Sequence, residues 1–105
     1  MSFKVEYTEA AHNDIRAVYE YIAFNLYAPK AAASIIKDLM EEISALDENP
    51  LRYALYNKEP WLSRGLRHFA IRNYTVFYLT DETKEIVSIA RIMYGGRDIE
   101  KQLGQ

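Results

Sequence analysis

GLRHFAIRNYTVFYLTDETKEIVSIARIMYGGRD, residues 65–98, decides the architecture. Leu66 to Arg72 and Tyr74 to Thr80 read as strands joined by a tight turn near Arg72-Asn73, and Asp81-Glu82-Thr83 turns the chain again into a third strand, Glu85 to Met93. Valine, isoleucine, tyrosine and phenylalanine crowd these runs, as half-buried strands prefer. The product is an antiparallel meander, closed by Gly95-Gly96, after which Asp98 can cap a short helix reaching Leu103.

Upstream the period changes. Phe3-Lys4-Val5-Glu6-Tyr7 alternates apolar and polar, predicting a short strand, and Thr8 can cap a helix behind it. Ile15, Val18, Tyr19, Ile22 and Leu26 then recur at helical spacing, in a helix ending near Tyr27. Pro29 suits the first turn of a second helix, whose stripe is Ile35, Ile36, Leu39, Met40, Ile43 and Leu46 and whose stop is Asn49-Pro50. So short a connection makes the two helices antiparallel neighbours. Residues 51–64, with Pro60 and the lone Trp61, have no clear period and read as an ordered loop with a short strand or turn. The fold class is therefore α+β: an N-terminal strand, and an antiparallel helical hairpin packed on a mostly antiparallel sheet that ends in a three-strand meander.

A chain of 105 residues supports one compact domain, taken as residues 1–105. Half the residues are apolar and 27% charged, as in an average soluble protein, and no apolar run is long enough for a membrane span. The start, Met1-Ser2-Phe3-Lys4-Val5-Glu6, lacks a signal-peptide pattern, so a cytoplasmic location is expected. Zero cysteines exclude disulfides, thiolate metal sites and a cysteine nucleophile. Two histidines far apart offer no metal-ligand spacing, and neither a Gly-rich phosphate loop nor a Ser/His/Asp set is present, so no cofactor is expected.

Charge is uneven. Residues 1–50 carry four basic against nine acidic side chains, whereas residues 51–105 carry nine against six. Six of the nine are arginines, Arg52, Arg64, Arg67, Arg72, Arg91 and Arg97, suited to bidentate contacts with carboxylate or phosphate. The C-terminal half is thus the candidate binding face.

Order and spacing together resemble the RelE/ParE superfamily of toxins from bacterial type II toxin–antitoxin modules. The resemblance is carried by Glu9-Ala10-Ala11 with Asp14-Ile15, Tyr21-Ile22, and Ala45-Leu46 with Pro50. It continues through Gly65-Leu66-Arg67, Asn73 to Tyr78, and Ile89 to Asp98. It implies a growth-arresting toxin held inactive by a cognate antitoxin, acidic and partly disordered, that folds on the toxin; operator DNA would be reached only through that antitoxin. An apolar groove beside the helical hairpin should be exposed in the free toxin.

Two targets divide the superfamily, messenger RNA in the ribosome and DNA gyrase. RNA cleavage needs a base, cations for the phosphorane-like transition state and an acid. The candidates are Arg67 or His68, which alternation puts on opposite faces, with Arg72, Tyr94 and Arg97. Family ribonucleases often carry a phosphate-gripping arginine where this sequence has Thr75. That substitution and the net charge of −2 favour a gyrase inhibitor acting by binding. A ribosome-dependent ribonuclease is the alternative, and a non-toxic co-repressor partner of the antitoxin a third reading. Contact with target or antitoxin falls to Arg64, Arg67, Arg97 and Trp61, Arg97 foremost because a Gly-Gly turn can project it. Arg67 has Asp98 or Glu100 as possible ion-pair partners.

Overall fold

The computed structural model describes residues 2–95 and 99–104. Strand β1 (Lys4–Tyr7) leads into helix α1 (Glu9–Glu20), and helix α2 (Pro29–Ser44) runs back beside it. A short helix α3 (Trp61–Arg64) precedes the meander β2 (Arg67–Ile71), β3 (Tyr74–Asp81) and β4 (Ile86–Tyr94), and α4 (Ile99–Leu103) closes the chain. The sheet order is β1-β4-β3-β2: the meander is antiparallel, and β1 joins β4 in parallel, Lys4 opposite Ile86 and Tyr7 opposite Ile89. The α+β arrangement is the one expected from the sequence.

Local chemistry explains the element boundaries. Thr8 caps α1 by accepting a hydrogen bond from the Ala11 amide at 3.1 Å, and its hydroxyl donates to the Ala90 carbonyl at 2.9 Å, tying the helix start to β4. Pro29 occupies the first turn of α2. Gly65 ends α3 at φ 82°, a left-handed conformation that lets the chain reverse into β2.

Both faces of the sheet are covered. On one side α1, α2 and the turns that extend them pack Val18, Ile22, Leu39, Ile43 and Leu46 against Phe69, Val76, Tyr78, Val87, Ile89 and Ile92. Leu39, Ile43 and Leu46 are at most 1% exposed, each contributing about 1.5–3 kcal/mol of burial free energy. The other side holds a smaller cluster, Trp61, Leu66, Phe77 and Met93, with Tyr56, Ile99 and Leu103 packed on it. The loop expected over residues 51–64 is therefore a second cover layer. Leu55 makes a bridge to Arg67, and α3 seats Trp61 in the cluster.

Three members of the helical stripes, Tyr19, Leu26 and Met40, depart from expectation, Tyr19 at 37% exposed. Leu26 is 54% exposed because the chain passes into a π-helical turn over Tyr21–Asn25, closed by the Leu26 amide on the Tyr21 carbonyl at 3.1 Å. The wider winding carries Leu26 off the buried face. Met40, 41% exposed, lies at the margin of the α2 stripe, where its Sδ accepts from the Tyr7 hydroxyl at 3.3 Å.

Candidate functional site

The β2–β3 hairpin turns through two residues, the first of which, Arg72, holds φ 54°. Pairing of Tyr74 with Tyr94 and of Thr75 with Met93 brings the end of β4 beside that turn. The Gly95 amide donates to the Asn73 carbonyl at 2.7 Å, and a Cβ on Gly95 would lie 3.3 Å from the same oxygen, so glycine permits the approach. Together these segments enclose a cleft of about 250 Å³ lined by Ala70, Arg72, Asn73, Tyr74, Thr75, Tyr94 and Gly95.

Tyrosines form one wall. Tyr74 and Tyr94 meet edge to face, ring centroids 5.5 Å apart, with Tyr74 buried and Tyr94 49% exposed. Burial, then the neighbouring Tyr94 and Tyr21 hydroxyls, raise the Tyr74 pKa and keep it a neutral phenol. The Arg72 guanidinium is committed to α2: Nε donates to Asp38 Oδ2 at 2.9 Å, and Nη2 bonds the same carboxylate and Ser34 Oγ. The cleft thus combines aromatic edges, a hydroxyl from Thr75 and a neutralised arginine. Among the described residues no cluster of metal-ligating side chains exists.

Of the proposed catalytic residues, then, Arg72 and Tyr94 share a cleft. Arg67 lies at the far end of β2, where its Nη1 donates to the Tyr53 carbonyl at 2.6 Å. The expected partner Glu100 accepts a hydrogen bond from Tyr56 instead, because the smaller cluster seats α4 over Tyr56. Asp98 and Arg97 lie outside the described residues. His68 stands on the opposite sheet face from Arg67, as alternation requires, stacked on Phe77 at 6.1 Å with its Nδ1 buried and without a hydrogen-bond partner. Trp61 is 6% exposed, a core residue with no surface to offer a target, while Arg64 at the end of α3 is exposed. Asn73 and Tyr74 were missed as site residues; their signal was a hairpin turn whose register brings it to the Gly-Gly break.

A second concavity lies between β1 and α2. It measures about 560 Å³ and is lined by Phe3, Val5, Tyr7 and Met40 with the Lys37–Glu41 pair at its rim. β1 is an edge strand, so the groove runs beside unpaired backbone. Alternating Phe3, Val5 and Tyr7 were the sequence signal for it.

Residues 5–99 match the family described as ParE toxin of type II toxin-antitoxin system, parDE. The chain belongs to this ParE toxin family. No curated protein matches it closely enough for comparison. Among solved structures, the chromosomal ParDE system of P. aeruginosa is similar at 20% identity with a TM-score of 0.72, over 89% of this chain and 96% of that one. The RelBE2 toxin–antitoxin complex of Mycobacterium tuberculosis is similar at 20% identity and a TM-score of 0.66, covering 90% of this chain and 99% of the other. A mutant of the E. coli toxin RelE in the free state aligns at 13% identity and a TM-score of 0.67, over 94% and 90%. Identities this low speak for the fold alone. The ParE-family fold here includes no helix, among the described residues, long and apolar enough to cross a membrane.

Proposed function

We propose that this ParE-family chain arrests growth by binding DNA gyrase and is held inactive by a cognate antitoxin. The observation that carries the reading is the state of Arg72. Within the described part of the cleft it is the sole cation, its charge is met by Asp38, and Thr75 occupies the position where a phosphate-gripping arginine is expected. Scission of RNA requires cationic stabilisation of a phosphorane-like state, whereas inhibition by binding requires only a complementary surface.

The groove between β1 and α2 is the surface offered to the antitoxin. Its apolar floor suits one face of an amphipathic segment, and the outer edge of β1 offers backbone groups to an added strand. An acidic segment continuing beyond it would meet the arginine-rich C-terminal half. Arg64, exposed at the end of α3, and Arg97 are the proposed contact points there.

Induction of the chain alone in a bacterial host, with labelled thymidine and amino-acid incorporation followed over the first minutes, tests the reading. Early failure of DNA synthesis with an active DNA-damage reporter is expected. A prompt fall in protein synthesis with cut messages would replace gyrase by the ribosome, and growth without arrest would leave only a co-repressor role.

A further inference from the structure

The end of the helical hairpin is exposed and aromatic. Tyr21 (55% exposed), Phe24 (64%), Leu26 (54%) and Tyr27 (87%) follow one another through the π turn and the link to α2, and Tyr19 (37%) meets Phe24 edge to face at 6.3 Å. Taking about 200 Å² per ring, Tyr19, Tyr21, Phe24 and Tyr27 present roughly 500 Å². That is at the upper end of the largest patches on ordinary monomers and more than half of the ~800 Å² that each partner contributes to a standard interface. Tyr27 holds φ 54°, a region its Cβ disfavours, while its ring stands in solvent.

Charge decides the class of occupant. Residues 21–29 contain no charged side chain, in contrast to the cations that a nucleic-acid strand would demand. A projecting, neutral, aromatic tip matches an apolar concavity on a folded protein.

We infer that the hairpin tip around Phe24 and Tyr27 is the surface by which this chain engages its protein target, inserting aromatic side chains into an apolar pocket there. The inference rests on the proposed arrest by binding. It assigns the main contact to the helical hairpin and leaves the arginines of the sheet half a lesser share.

The test compares the full chain with Phe24→Ser/Tyr27→Asn, asparagine being chosen because it tolerates the left-handed conformation at residue 27. Circular dichroism and Trp61 fluorescence check that the variant keeps the fold. In a supercoiling assay with purified gyrase, the variant is expected to need at least ten-fold more protein for half inhibition. Equal inhibition by both would overturn the inference. If the wild-type chain does not inhibit gyrase, the proposed function fails by itself, and growth arrest in cells becomes the readout: arrest lost in the folded variant supports the tip as the target contact, and arrest retained overturns it. Two further results would also overturn it. One is anisotropy showing a labelled 20-nucleotide single-stranded RNA bound by wild type and released by the variant. The other is sedimentation showing a wild-type dimer that the variant dissolves.

Discussion

Asp14 on α1 accepts three hydrogen bonds from consecutive residues of β4: Arg91 Nε at 2.7 Å, Arg91 Nη2 at 3.0 Å and the Ile92 amide at 2.9 Å. Arg91 Nη1 also donates to the Gln102 carbonyl at 2.9 Å, so one guanidinium joins α1, the sheet and the C-terminal end of α4. Both partners are mostly buried, with side-chain exposures of 28% for Arg91 and 15% for Asp14.

Asp14→Ala should therefore destabilise the fold by about 3 kcal/mol, since it leaves a half-buried guanidinium and a strand amide without their acceptor. For a domain of this size that corresponds to a fall in Tm on the order of 10–20 °C, measurable by thermal circular dichroism. A drop of only a few degrees would show that water replaces the carboxylate.

Alkali and acid should each loosen α4. The Tyr56 hydroxyl donates to Glu100, and burial first, then that hydrogen bond, push the Tyr56 pKa up to about 12. A raised pKa means stability that is fully present below the ordinary value of 10.0 and is lost as pH rises through about 12. Glu100 is shifted the other way, down from 4.5, chiefly by the same hydrogen bond, so its contribution is present above about 4.5 and is lost as pH falls through the lowered value. Trp61, the lone tryptophan, lies in the cluster that α4 helps to cover and should report both transitions by fluorescence; Tyr56→Phe should abolish the alkaline transition and weaken the acid one, since the backbone and Lys58 also lower Glu100.

Tyr78→Phe should cost about 1–2 kcal/mol. The Tyr78 hydroxyl donates to the Pro50 carbonyl at 2.8 Å in the core, and its loss leaves a buried acceptor unsatisfied. Urea denaturation would show a lowered midpoint with an unchanged slope.

Arg97→Ala should relieve growth arrest with the far-UV circular dichroism spectrum intact. A variant as toxic as wild type would remove Arg97 from the working surface.

Periodicity made the helices and the meander legible, because alternation in Phe3 to Tyr7 and spacing by turns in Ile35 to Leu46 report which side is buried. Thr8, Pro29 and Asn49-Pro50 marked boundaries through chemistry local to a few residues. Three features left no trace in the sequence pattern. YIAFN has helical composition, and its π winding shows only where the Leu26 amide reaches the Tyr21 carbonyl at 3.1 Å. Arg72 had several carboxylates to choose from, and only the packing of α2 beside the hairpin turn selects Asp38. Arg67 likewise missed Glu100 because the chain from Tyr53 to Tyr56 runs along β2 and supplies a nearer acceptor.

The parallel pairing of β1 with β4 sets when the molecule can act. Synthesis delivers Lys4 to Tyr7 first, yet their sheet partners, Ile86 to Ile89, follow only after both helices and two strands of the meander, as do Tyr94 and Gly95, which complete the cleft. A growing chain can wind its helices early, but while the last strand is inside the ribosome it has neither a closed sheet nor a finished binding surface. A nascent copy therefore lacks the completed cleft until that strand has left the ribosome and paired.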